Sequence, residues 1–351
     1  MHIAIILPRW VGDAAMATPL LRAVRSHFKT AHITGVMRPL IADLLAGAGW
    51  FDAVIGYDRH GRDEALGFRA AARKLRAARA DLALVLPTSL SAATLAWMGG
   101  VRRRVGRASD WRRLLFTDPV PEAQEIVPPP QAFMDLAAAV GVPRGSLDLE
   151  LATTPGDERA ADAVLAALFP GRTGPLLVLN DNSSNGPSRS WGTEKHAALA
   201  RWLVERVPAC RVLVHCGPAD RQQARAVVAA AALPAVQGLG DVDDLPLGLS
   251  KAVYRRARLA VTSDSGPRHI AAAFAVPTVA LIGPTDPHLG RSDPRRCAEI
   301  RLDLACSPCD RGTCPLAHHD CMRLLDVEQV GRAALRMLQD SAAMLPASRA
   351  G

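Results

Sequence analysis

The feature that most constrains this chain is a rhythm it carries twice: short aliphatic segments separated by longer stretches with helical periodicity. In the first series Ile3–Leu7, Ala31–Val36, Ala53–Tyr57 and Leu82–Leu86 alternate with amphipathic stretches over Thr18–Phe28, Arg38–Ala48 and Ala65–Arg79. In the second, Leu176–Leu179, Arg211–His215 and Leu259–Thr262 alternate with Thr193–Arg206 and Asp220–Ala231. Aliphatic runs without polar alternation suit strands covered on both faces, and strand–helix–strand order is what a parallel sheet needs. The spacing predicts two doubly wound α/β domains in tandem. Pro155, Gly156, Pro170, Gly171, Gly174 and Pro175 flank a single helix and put the boundary between Leu151 and Gly174. The expected division is 1–160, 161–325, and a helix with a frayed tail over 326–351. Pro119–Pro130 reads as a loop before a short helix over Gln131–Val140.

At 351 residues, 49% apolar and 22% charged, the chain has material for two sizeable cores, and disorder is excluded for most of its length. No stretch reaches the roughly 18 uninterrupted apolar residues a spanning helix needs, since the longest candidate, Ile270–Ile282, contains Pro277. The run Met1–Pro8 has no basic flank and reads as a buried first strand, so a cytoplasmic protein is expected. The net charge of +8 comes from 42 Lys and Arg, of which only four are lysine, against 34 Asp and Glu. Guanidinium forks suit anionic ligands, although a GC-rich genome produces the same bias. The cations are spread along the chain with no aromatic ladder among them, which argues against nucleic acid.

Parallel α/β sheets place ligands in the crevice at the carboxyl ends of their strands, so the loops after strands are where function is expected. Three of them carry unusual chemistry. Pro8-Arg9-Trp10-Val11-Gly12-Asp13 is not a dinucleotide fingerprint; Asp13 either projects a carboxylate toward a ligand or caps the helix that follows. The polar loop Asn182–Trp191 offers the hydroxyls of Ser183 and Ser184 and the guanidinium of Arg189 to a diphosphate, or is an ordinary turn. In Thr262–Ala273 a strand turns into a helix: Pro267 fits its first turn, Gly266 admits an anion to free backbone N–H groups, and Asp264, Ser265 and His269 flank that point. The plainer alternative is a capped helix with a surface histidine. A fourth feature is Cys306-x₂-Cys309-x₄-Cys314-x₆-Cys321, enclosing His318 and His319. Four thiols so close point to a structural zinc, with an iron–sulfur cluster, redox-active thiols or free thiols as alternatives. The spacing Asp241-Val242-Asp243 reads as a helix entry rather than a Mg²⁺ site.

Taken in order, Trp10-Val11-Gly12-Asp13, Leu86-Pro87-Thr88-Ser89, Gly186-Pro187-Ser188-Arg189-Ser190-Trp191 and Asp264-Ser265-Gly266-Pro267-Arg268-His269 resemble glycosyltransferase family 9, the heptosyltransferases, and most closely its heptosyltransferase II branch. The resemblance implies a GT-B fold, two Rossmann-like domains facing across a cleft that close on binding. It implies an inverting transfer from an ADP-heptose donor held mainly by the second domain to a lipid A-core acceptor held mainly by the first, at the cytoplasmic face of the inner membrane. Asp13 matches the family's general base, and Asp264, Gly266 and His269 match its donor turn. Arg189 stands where the family often has lysine. No cofactor is required for catalysis on this reading. Because such acceptors carry carboxylates and phosphates, Arg103, Arg104, Arg107 and Arg112, with Arg102 and Arg113, form the candidate acceptor or membrane-surface patch; the alternative is a solvated basic loop. Two other readings are a family 9 enzyme using another nucleotide sugar or acceptor, and a silent sugar-nucleotide-binding protein.

Overall fold

The structure, a computed structural model, describes residues 1–122, 125–181, 186–290 and 295–344. The chain divides into two compact units, Met1–Ala152 and Thr153–Gly351. The division falls near the amino-terminal end of the proline- and glycine-rich interval and before its helix, Pro155–Leu168. That helix starts on a capping box, in which the Thr154 hydroxyl accepts from Asp157 N and the Asp157 carboxylate accepts from Thr154 N. It packs against the helix Leu247–Arg256, where Glu158 pairs with Arg255 and Arg256, so it belongs with the second unit. The last helix, Val327–Met344, also belongs to that unit, lying against the helix Thr193–Arg206 rather than forming a separate piece.

The first unit holds a six-stranded sheet made of β1 (His2–Ile6), β2 (His32–Met37), β3 (Ala53–Gly56), β4 (Leu82–Val85), β5 (Arg103–Arg107) and β6 (Asp118–Val120), in the order β3-β2-β1-β4-β5-β6. The second holds β7 (Leu176–Asn180), β8 (Arg211–Val214), β9 (Val236–Gly238), β10 (Leu259–Ser263), β11 (Thr278–Leu281) and β12 (Cys297–Ile300), in the order β12-β11-β10-β7-β8-β9. Every pairing in both is parallel. Counted from its own first strand, each sheet has the doubly wound order 3-2-1-4-5-6. The central strands are buried throughout, as in β4, β7, β10 and β11, which explains their unbroken aliphatic sequences.

Arg103–Arg107 departs from the loop reading by forming a strand. Its arginines are tolerated because Arg103 reaches Asp118 on neighbouring β6 at 3.0 Å and Arg107 reaches Asp135 at 2.8 Å. The start of the proline-rich segment is likewise a strand, β6, with Pro119 beside Gly106 of β5 on the sheet's edge, where a missing N–H is harmless. Among the described residues no helix is long and apolar enough to cross a membrane.

Candidate active site

In a sheet of this order the crevice opens where the winding reverses, between the first and fourth strands. In the second unit these are β7 and β10, and two of the singled-out loops leave their carboxyl ends. Ser183 and Ser184 of the first loop lie outside the described residues. The rest of that loop is anchored by Asp181, a buried carboxylate that accepts from Ser190 Oγ at 2.7 Å, Trp191 N at 2.6 Å, Gly192 N at 3.1 Å and Gln223 Nε2 at 2.6 Å. A carboxylate that collects four donors fixes the turn into the helix Thr193–Arg206 and keeps its own burial tolerable.

This anchoring orients Arg189, at the end of the 3₁₀ turn Pro187–Arg189. Its guanidinium donates to the Asp264 carbonyl at 2.7 Å and stands 3.8 Å from the Asp310 carboxylate, so the loops after β7 and β10 meet at this one side chain. Asp264 is itself buried and accepts from Arg268 Nη1 at 2.8 Å and Thr285 Oγ1 at 2.6 Å. Burial pushes its pKa up, but the Arg268 charge and the hydrogen bonds from Thr285 and Arg268 outweigh it and hold the carboxyl below its ordinary range. Arg268 is almost completely buried and spans Asp264 and Glu299 of β12, with its Nε lacking a partner among the described residues. Gly290 makes room for the pair: a Cβ there would meet Arg268 Nη1 at 3.0 Å and Asp264 Oδ1 at 3.1 Å.

Ser265 takes the N-cap position of the helix Gly266–Ala273 without a side-chain cap bond, and Gly266 and Pro267 fill its first two positions. The helix therefore starts without a side chain competing for its first N–H groups. His269 is buried rather than on the surface. Burial, then the Arg268 charge, lower its pKa to about 4, so near neutrality it is an uncharged imidazole. The positive charge at this crevice belongs to Arg189 and Arg268.

The loop is gripped from the cysteine-rich side as well. Ser188 is buried; its N donates to Gly312 O at 3.1 Å, its hydroxyl donates to Arg311 O, and its own carbonyl accepts from His319 Nε2. Gly186, at φ +112, runs so close to the same segment that a Cβ would sit 2.2 Å from Gly312 O. Cys306, Cys309, Cys314 and Cys321 line a single cavity of about 20 Å³ together with Ser188, His318 and His319. Cys321 has its pKa raised by burial and then by the other three sulfurs. Among the described residues no three His, Cys, Asp or Glu side chains already stand in coordinating geometry. Asp310, Ala317 and His319 all hold positive φ at non-glycine residues, a conformation that costs of order 1–3 kcal/mol each.

In the first unit the corresponding crevice loops follow β1 and β4. Asp13 is the third residue of the helix Val11–Met16, whose N-cap is Trp10. Asp13 is therefore not the cap. Its carboxylate has no hydrogen-bond or ion-pair partner among the described residues, and burial raises its pKa. After β4, Ser89 caps the helix Leu90–Met98 by accepting from Ala92 N at 3.3 Å, and the Thr88 carbonyl accepts from Arg112.

The four arginines assigned to an acceptor patch all have intramolecular partners. Arg103 and Arg107 make the pairs given above; Arg104 donates to Leu115 O at 2.7 Å and Val101 O at 2.6 Å; Arg112 is buried between Asp110 at 2.8 Å and Glu122 at 3.0 Å. Beside them the 3₁₀ turn Trp111–Leu115 presents Trp111, 84% exposed, and Leu114, 73% exposed, with Arg113 exposed between them. Asp241 ends a 3₁₀ turn and pairs with Arg225 at 2.6 Å. Sequence reasoning missed Asp181 and Glu299, and it quoted Ser188 and Arg268 inside the motifs without giving either a role. Of the two that went unmentioned, Asp181 carried a signal, a carboxylate directly at the end of an aliphatic strand.

The sequence pattern of Glycosyltransferase family 9 (heptosyltransferase) matches residues 68–319, well over half of the chain. The chain is 26% identical over 341 residues to lipopolysaccharide heptosyltransferase 2 of Escherichia coli, covering 93% of this chain and 95% of that one. It is 43% identical to lipooligosaccharide heptosyltransferase 2 of Campylobacter jejuni over a shorter stretch of 86 residues, 24% of this chain and 26% of that one. The solved structure of the E. coli ADP-heptose LPS heptosyltransferase II superposes with a TM-score of 0.81 at 22% identity, covering 97% of this chain and 100% of that one, so the fold is shared. With two 3-2-1-4-5-6 sheets and the motif turns at their switch points, this chain belongs to glycosyltransferase family 9, the heptosyltransferases.

Proposed function

We propose that the protein transfers a heptose from ADP-heptose to the inner core of lipopolysaccharide with inversion at the anomeric carbon. The observation that carries this reading is the meeting of Arg189, Asp264 and the open start of the Gly266–Ala273 helix at the switch point of the second unit. The acceptor hydroxyl oxygen attacks the anomeric carbon as its bond to the diphosphate breaks. The hydroxyl proton passes to Asp13, and the bonding electron pair leaves with ADP. Arg189 and the helix N–H groups stabilise the charge that grows on the departing diphosphate, strengthening toward the transition state without a divalent metal. Asp264, paired with Arg268, orients the turn, and His269 serves as a neutral polar wall. Asp13 suits a base because burial without a hydrogen-bond partner makes its carboxylate more basic.

The exposed Trp111 and Leu114, flanked by Arg113, support a finer placement at the surface of the membrane that presents the acceptor, since aromatic and cationic side chains favour that interface. Arg103, Arg104, Arg107 and Arg112 shape this region through their internal partners. For the cysteine cluster we propose a structural zinc ion. Four sulfur donors lining one cavity suit Zn²⁺ chemically, and Cys306, Cys309, Cys314 and Cys321 would hold it once drawn together, tying the segment together.

The test is release of the donor's own nucleoside diphosphate by the purified full chain supplied with lipopolysaccharides truncated at successive positions of the inner core and, in turn, ADP-heptose and a panel of UDP- and GDP-sugars. Turnover confined to ADP-heptose supports the proposal. Preference for another sugar makes the chain a family 9 enzyme of different specificity, and tight ADP binding without turnover on any acceptor makes it a silent binder.

A further inference from the structure

The residues Asp310–His319 form the second wall of the loop that carries Arg189. Ser188 is held by three bonds to this segment: N to Gly312 O, Oγ to Arg311 O, and its own carbonyl to His319 Nε2. Because Ser188 O only accepts, His319 must carry its proton on Nε2. Ser188 immediately precedes Arg189, whose guanidinium also faces Asp310. Gly186 lies against Gly312 with no room for a side chain, so on both sides of Ser188 the loop follows the segment closely. The positive φ values at Asp310 and His319 show a backbone held in unfavourable conformations at the two residues whose side chains face the loop.

We infer that the cysteine-rich segment is a clamp on the donor loop, with His319 and Ser188 as positioning residues that set Arg189 against the Asp264 carbonyl. The clamp acts on the diphosphate site proposed above and rests on that reading. Its consequence is coupling. The four thiols border the same cavity as Ser188 and His319, so whatever orders or loosens Cys306–Cys321 is transmitted to donor affinity, and donor binding orders the segment in return.

The experiment measures ADP binding by calorimetry, and amide hydrogen exchange with and without ADP, on the full chain and on His319→Ala, His319→Gln, Ser188→Ala and Arg189→Ala, with melting temperature recorded for each. The clamp predicts that His319→Ala weakens ADP binding about fivefold or more. His319→Gln, whose amide N–H takes the place of Nε2–H, recovers most of it. ADP slows exchange across 306–321 in the unmodified protein and loses this effect in His319→Ala. Should His319→Ala fail to fold, Ser188→Ala, which removes only the bond to Arg311 O, is expected to weaken ADP binding in the same direction. Normal ADP affinity in folded His319→Ala and Ser188→Ala, alongside weakened affinity in Arg189→Ala, overturns the clamp alone. Unchanged affinity in Arg189→Ala overturns the diphosphate site and the clamp with it.

Discussion

Replacing Asp13 by asparagine separates catalysis from folding, because the structure assigns the carboxylate no bond to lose. Asp13 sits at the third position of a helix capped by Trp10 and has no hydrogen-bond or ion-pair partner among the described residues. The substitution removes a favourable charge near a helix N-terminus, worth about 0.3–1 kcal/mol, and relieves an opposing burial penalty. The net change in stability is therefore within about 1 kcal/mol, a few degrees in melting temperature for a unit of this size. Loss of a general base costs roughly 10²–10⁴ in rate, or about 2.7–5.5 kcal/mol of barrier. The effect on turnover thus exceeds the effect on folding several-fold. The pH dependence has a definite sign. A carboxyl whose folded pKa is raised above 3.8 lowers stability as pH rises through the interval between those values, and it gives turnover an acidic limb above the ordinary carboxylate range. Both features should vanish in Asp13→Asn. Turnover is read as ADP release at saturating donor and acceptor, and stability as thermal melting. Asp13→Asn turning over within about threefold of the unmodified protein would refute the general-base assignment.

Four further outcomes follow from the geometry. Asp181→Ala strips the acceptor from two backbone N–H groups and two side chains and should lower unfolding free energy by about 3 kcal/mol or more, measured in urea; a loss under about 1 kcal/mol would show that the loop does not depend on it. Arg268→Leu leaves Asp264 and Glu299 unpaired and should cost about 3–5 kcal/mol by the same measurement, with Arg268→Lys recovering only part. His215 and His269, both with pKa lowered to about 4 by burial, bind protons in the unfolded chain first, so stability should fall as pH drops from about 6.5 to 4, and His269→Gln should flatten that slope. Trp111→Ala combined with Leu114→Ser should reduce co-sedimentation with anionic lipid vesicles while ADP affinity is unchanged; equal sedimentation would remove the membrane-surface reading.

The parallel architecture was legible because strands buried on both faces leave unbroken aliphatic runs, and Thr193–Arg206 forms the helix expected over those same residues. β5 was hidden by its arginines. Their suitability for a strand depends on Asp118 and Asp135, partners distant enough that local composition does not announce them. The turn at Asp264–His269 was visible from its glycine and proline, but the state of His269 was not, since burial by the surrounding fold decides it. Asp181 and the Ser188 contacts escaped for the same reason: each links residues between nine and 131 positions apart.

The repetition of one strand order in both units has an evolutionary consequence. A junction between Ala152 and Thr153 interrupts no strand of either sheet, so a chimaera joined there keeps each half's hydrogen-bonded core whole. The loops after β7 and β10 and the loops after β1 and β4 stand on separate sheets. The loops of one half can therefore be exchanged or diversified with no compensating change required in the strands of the other.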